Sequence, residues 1–148
     1  ITFLAVRLNY LIPDLAVCAE KYVEAIERGN AVCKKYFPRY TLYCVGIKLK
    51  RPRDRYELSC VPPDAADFAY GCEFEPMLEG TSYSREYLQA FKNEIYDIGV
   101  DMKTTYYRFG GMMKGYIRRA LGDEVVDRHL AMKRKADPAM ILNPDVIF

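Results

Sequence analysis

Hydrophobic and polar positions along the chain alternate between two periods. The opening run, residues 1–12, is rich in Ile, Phe, Leu and Val and reads as a strand that Pro13 stops. Asp14 then has the residue type of a helix N-cap. Leu15, Cys18, Ala19, Tyr22, Val23, Ile26, Cys33 and Phe37 recur near helical spacing, which predicts one amphipathic helix from about 15 to 36, interrupted at Gly29-Asn30 and stopped by Pro38. Thr41 to Leu49 and Tyr56 to Val61 are β-branched and aromatic enough for two strands joined by the polar Arg51-Pro52-Arg53-Asp54 turn. From Asp64 to Gly80 no period dominates, and Phe68 to Phe74 is the stretch suited to a strand.

The second half reads as helical. Ser84 is an N-cap type, and Tyr87, Leu88, Phe91 and Ile95 form a stripe that closes near Gly99, a residue suited to a C-terminal cap. Val100 to Phe109 reads as extended or irregular. After Gly110-Gly111, the residues Met113, Tyr116, Ile117, Ala120 and Leu121 predict a short helix closed by Gly122. Asp123 caps a last helix with Val126, Leu130 and Met132 on its apolar side, and Asp137-Pro138 breaks it. The expected fold class is α+β: an antiparallel sheet with flanking helices and a helical C-terminal part. Residues 1–99 and 100–148 are the expected units.

Composition narrows the class. The chain has 148 residues, 51% hydrophobic and 28% charged, enough to bury roughly 68–70% of its unfolded surface in a real core. No apolar run approaches the ~20 residues of a membrane helix, so no membrane partner is expected. The chain opens on Ile1 and runs directly into a strand-like segment, which predicts a piece of a larger protein.

Net charge is +2, but unevenly spread: residues 1–99 hold 13 basic and 14 acidic side chains, and residues 100–136 hold 9 and 4. A basic stripe of Lys114, Arg118, Arg119, Arg128, Lys133, Arg134 and Lys135 results, and it offers a second reading, a non-enzymatic interaction module facing an acidic partner. Lys48, Lys50, Arg51, Arg53 and Arg55 form another basic cluster, followed by Asp64, Asp67, Glu73, Glu75 and Glu79, which read as solvated surface. No RRM, KH or zinc-finger pattern accompanies these charges, so no nucleic-acid partner is expected.

The five cysteines, Cys18, Cys33, Cys44, Cys60 and Cys72, lack any C-x-x-C pair, and His129 is the only histidine. That spacing points to reduced thiols packed as small hydrophobes rather than a metal site, and it mildly favours a cytoplasmic setting. Gly110-Gly111 lacks the further residues of a phosphate loop, and no G-x-S-x-G elbow occurs. The remaining cluster is Tyr106-Tyr107-Arg108. A tyrosine hydroxyl beside a guanidinium can hold an oxyanion, one donor aiming a hydrogen bond while the fixed cation stabilises the charge; an aromatic pair in the core beside a surface arginine is the other reading.

The stretch from Leu130 to Pro144, with Lys133, Asp137-Pro138, Ile141-Leu142 and Asn143-Pro144, resembles the closing motif of FAD-linked oxidases of the vanillyl-alcohol oxidase superfamily. In that family Asp-Pro ends a helix, an apolar pair anchors the tail, and Pro-Gly-Lys follows. Here Asp145-Val146 stands in place of Gly-Lys. The Tyr107-Arg108 pair, about thirty residues upstream of Asp-Pro, is similar to that of the aryl-alcohol and cresol-oxidising branch. The resemblance implies a cap-domain fold, FAD as cofactor, and a small phenolic or hydroxylated substrate. It implies that Arg108 and Tyr107 bind the phenolate oxygen, with Tyr106 beside them, while the benzylic carbon gives hydride to flavin and leaves a quinone methide. Asn143 and Pro144 would lie on the cofactor side. It further implies that the FAD-binding domain of the same parent protein is a partner and lies outside this chain. A catalytically inactive relative is the remaining alternative. Covalent flavin linkage, the electron acceptor and a homo-oligomer are left open.

Overall fold

The computed structural model describes residues 13–39, 42–50, 65, 67–76, 83–104 and 116–141, with backbone alone at 42–45 and 75–76. Strand β1 (Asp14–Cys18) leads through a short 3-10 turn (Ala19–Lys21) into helix α1 (Tyr22–Tyr36). Strands β2 (Leu42–Lys50) and β3 (Phe68–Pro76) follow, then helices α2 (Arg85–Asp101), α3 (Tyr116–Leu121) and α4 (Asp123–Ala136).

The sheet order is β1-β3-β2, antiparallel throughout. Its register pairs Asp14 with Glu73 and Cys18 with Ala69 on one side of β3, and Leu42 with Pro76 and Lys50 with Phe68 on the other. Because β3 separates β1 from β2, the β1-α1-β2 connection is a split β-α-β unit. The α+β class with an antiparallel sheet and flanking helices is therefore what the chain adopts.

Two expectations at the start of the chain are corrected. Asp14 opens a strand rather than capping a helix, and Leu15 to Cys18 lie in β1 rather than on a helical face. All five β1 residues are buried. A strand covered on both faces shows no alternation, so its apolar run cannot be told from a helix by period. Helix α1 also runs unbroken through Gly29-Asn30. A Cβ built at Gly29 would overlap the ring of Phe74, so this glycine lets β3 and α1 approach closely. Gly46 plays a similar part on β2, where a Cβ would lie 2.8 Å from the Tyr22 hydroxyl.

Alternation along the strands sorts the sheet into two faces. Leu15, Val17, Cys72 and Phe74 turn toward α1 and α2 and join Ala25, Cys33, Phe37, Phe91, Ile95 and Ile98 in one core. On the other face Cys18, Ala65 and Ala69 form a smaller cluster with Leu49 against it. The main core also contains Ile117 of α3 and Val126 of α4, so helix pairs from both halves of the chain share it.

The long helices are tied at one end by aromatic rings. Tyr36 packs edge-on against Tyr87 and Phe91, and Tyr83 stacks on Tyr87 with ring centroids 5.4 Å apart. Ser84 caps α2 as expected, its Oγ accepting the Tyr87 amide at 3.2 Å. The other end of α2 differs from expectation: the helix passes Gly99, and the left-handed residue is Lys103 at φ 54°. The Thr104 amide donates to the Gly99 carbonyl and the Lys103 amide to that of Val100, the paired bonds of a Schellman motif.

The closing elements behave largely as expected. Gly122, at φ 85° and ψ 161°, makes the corner between α3 and α4 and is itself the N-cap, while Asp123 is the first helical residue. Val126 is buried, but Met132 is 53% exposed and lies off the packed side of α4. The second sheet strand expected at Tyr56 to Val61, the Arg51 to Asp54 turn and the opening run 1–12 lie outside the described residues.

Candidate functional site

Tyr106, Tyr107 and Arg108 lie outside the described residues, as do Asn143 and Pro144. Both anchors of the segment 105–115 are described, and both rest on α2. At one end Thr104 is buried, with its amide and its Oγ1 donating to the Gly99 carbonyl at 2.9 and 3.2 Å. Lys21 adds a hydrogen bond to the Met102 carbonyl at 2.9 Å.

At the other end Tyr116 begins α3. Its hydroxyl donates to the Asn93 carbonyl at 3.3 Å, and its ring lies 5.3 Å from that of Tyr96. Burial, with the Asp97 carboxylate nearby, pushes the Tyr116 hydroxyl above its ordinary pKa. Arg119 bonds Asp97 at 2.8 Å while its guanidinium lies 5.0 Å from the Tyr116 ring centroid. Thr104 and Tyr116, the described residues that flank this segment, thus meet α2 at its C-terminus and at its middle.

The second expected group, the closing motif, begins with a well-defined turn. Helix α4 stops at Asp137, whose amide donates to the Lys133 carbonyl at 2.7 Å. One Asp137 carboxylate oxygen accepts the Lys133 ammonium at 3.2 Å and the other accepts the Ile141 amide at 3.1 Å. Met140 takes a positive φ of 53°, and its amide donates to the Asp137 carbonyl. Asp-Pro therefore ends the helix as expected. The Ile141 side chain is 72% exposed, and Leu142, its partner in the expected apolar pair, lies outside the described residues.

The basic stripe is largely bonded within the chain. Arg118 pairs with Asp123 and Asp127 at 2.6 and 3.1 Å, and Arg128 with Glu124 at 2.9 Å. With Arg119 on Asp97 and Lys133 on Asp137, four of its named residues face carboxylates of their own protein.

Sequence reasoning missed three buried charged residues. Asp14 and Glu73, 2% and 3% exposed, stand opposite each other across β1 and β3 on the face turned away from α1 and α2. Glu73 is thus no part of a solvated acidic stretch. Lys92 is 4% exposed on α2, and burial, with Arg85 adding like charge, lowers its pKa. Its place next to Phe91 and three residues before Ile95 was the available signal.

His129 holds its Nδ1 2.8 Å from the Val125 carbonyl, the placement of a helix-boundary histidine. Cys18, Cys33 and Cys72 are buried thiols outside any disulfide. Among the described residues no group of three or more His, Cys, Asp or Glu is placed to hold a metal ion, and no helix is long and apolar enough to cross a membrane. No protein-family model matches the chain, and no curated protein matches it.

Proposed function

We propose that this chain is the substrate-binding and C-terminal part of an FAD-dependent oxidoreductase that oxidises a small phenolic or hydroxylated substrate. FAD supplies the hydride acceptor. Arg108 carries the positive charge that holds the substrate oxyanion, Tyr107 directs a hydrogen bond to the same oxygen, and Tyr106 lines the site. Asn143 and Pro144 lie on the cofactor side, against the FAD-binding domain of the parent protein.

The observation that supports this reading is the turn closing α4. Lys133, Asp137 and Ile141 occupy spaced positions of the closing motif, and hydrogen bonds through one carboxylate tie them together. The Asp137 carboxylate there closes the helix by accepting from the Lys133 ammonium and from the backbone amide of Ile141, which fits the helix-ending part that the motif gives to Asp-Pro. The internal pairing of Arg118, Arg119, Arg128 and Lys133 weighs against the interaction-module reading, since those cations already face carboxylates.

The deciding experiment is a visible absorption spectrum of the natively purified parent, repeated after denaturation and removal of small molecules. A flavin spectrum is expected, and colour retained by the denatured chain would add covalent linkage. A colourless protein that FAD cannot reconstitute would overturn the reading. In the intact enzyme Arg108→Ala is expected to keep flavin bound and to lose about 2–4 kcal/mol of transition-state stabilisation; unchanged steady-state kinetics would remove Arg108 from its role.

A further inference from the structure

The aromatic group joining α1 to α2 contains an arrangement that packing alone does not require. Tyr36 donates its phenolic proton to Glu94 Oε1 at 2.6 Å. Tyr87 lies edge-on to Tyr36 at 5.2 Å between ring centroids, and Tyr83 stacks on Tyr87 at 5.4 Å. The Tyr87 hydroxyl, by contrast, donates to the Tyr36 carbonyl at 2.7 Å. Three tyrosines in ring contact therefore lead to a single one whose proton faces a carboxylate.

The chemistry of phenols makes that difference matter. Losing an electron makes a phenol strongly acidic, so oxidation proceeds most readily where a base already accepts the O–H. A backbone carbonyl is a poor base and a carboxylate a better one. The protonation states suit this step at neutral pH: the bond to Glu94 raises Tyr36 to about 12, so it keeps its proton. Hydrogen bonds from Lys35 and Tyr36 hold the Glu94 carboxyl below its ordinary range, so it stays ionised.

We propose that Tyr36 is a redox-active tyrosine, fed through Tyr83 and Tyr87 and deprotonated by Glu94. One electron leaves the Tyr36 phenol for a one-electron oxidant of the peroxyl-radical or metal-complex class, either directly or by hopping across the other two rings. The phenolic O–H bond breaks, a carboxylic O–H forms on Glu94, the oxidant is reduced by one electron, and a neutral tyrosyl radical remains. A donor of the thiolate or ascorbate class returns the electron, and Glu94 returns the proton. Lys35 opposes the step twice, bonding the same Glu94 oxygen at 2.6 Å and lying 5.2 Å from the Tyr36 ring centroid. Departure of the proton with the electron leaves the ring uncharged, and Lys35 is itself exposed to screening water. The oxidant's route in is at the surface end of the cluster, where Tyr87 is exposed, while the buried Phe37 and Phe91 lie on its inner side. The arrangement does not depend on the flavin reading.

The test is flash photolysis of the intact protein with ruthenium tris-bipyridine as sensitiser and persulfate as quencher, followed by absorbance and electron paramagnetic resonance. A long-lived tyrosyl radical is expected, most of it lost in Tyr36→Phe and formed more slowly in Glu94→Gln. Retention of that signal in a folded Tyr36→Phe protein overturns the proposal. Mapping of oxidised tyrosines by mass spectrometry, on the unaltered protein after the same illumination, checks it without any substitution. Products concentrated at Tyr36, Tyr83 and Tyr87 are expected, and an even spread over the 13 tyrosines overturns it.

Discussion

Helices α1 and α2 meet the sheet through Ala25, Cys33, Phe37, Phe91, Ile95 and Ile98, whereas α3 and α4 bring one fully buried side chain each, Ile117 and Val126. Around those two lies a set of exposed ion pairs: Arg118 with Asp123 and Asp127, Arg119 with Asp97, and Arg128 with Glu124. Apolar burial is insensitive to salt and grows with area, while exposed pairs are screened and individually weak. The first half is held by its core and the second by a thin apolar contact with charges arranged around it.

The largest effect expected on this contrast is at Phe91, buried between α1 and α2. Phe91→Ala should cost about 3–5 kcal/mol in chemical denaturation and loosen the whole fold. A loss confined to α3 and α4 by hydrogen exchange would mean that the core is divided.

Gly29→Ala tests the close approach of α1 to β3. Alanine is the better helix former, yet overlap with the Phe74 ring should make the change destabilising by about 1–3 kcal/mol. Adding Phe74→Leu should recover part of that loss, because the clash and the cavity occupy the same place. Simple stabilisation by Gly29→Ala would refute the contact.

Gly122→Ala addresses the corner of the lighter half. No atom lies within 4 Å of a Cβ there, so any cost is conformational. At φ 85° and ψ 161° it should be about 1–3 kcal/mol, seen as faster hydrogen exchange in α3 and α4 with little change in α1.

Asp137→Ala should cost about 1 kcal/mol by removing the acceptor that closes the last turn. Its expected signature is faster exchange of the Ile141 amide.

The smallest effects are those of pH. The Glu94 carboxyl is depressed, so its contribution is present above the ordinary carboxylate value and is lost as pH falls through its folded value. Tyr36 is raised from 10.0 to about 12, so its contribution is complete below 10.0 and declines as pH rises toward 12. Stability measured against pH should decline at both ends. Glu94→Gln should flatten the acid limb and reduce the alkaline one, and equal profiles for the two proteins would show that the pair adds nothing.

Legibility in the sequence followed how each element is buried. Helix α2 and its Ser84 cap were readable because one face is apolar and the other polar, and Gly122 and Asp137-Pro138 were readable as local backbone chemistry. Strand β1 was not, because a segment covered on both faces has no period. Glu73 was read as solvated surface and Lys92 drew no reading, because burial is a property of neighbours distant in sequence. The Tyr106-Tyr107-Arg108 cluster and the Asn143-Pro144 step were legible as residue types with a chemical use, and both lie outside the described residues.

What the sequence determined by itself was the α+β class, the order of most elements and the stops at Pro38, Gly122 and Asp137, all set by local propensity and backbone sterics. Tertiary structure alone decided that β3 is the central strand, that Gly29 is a contact rather than a break, that Lys103 rather than Gly99 ends α2 in the left-handed region, and that Tyr36 faces Glu94. Each of these depends on which distant surfaces meet, and contacts between residues tens of positions apart leave no period in the chain.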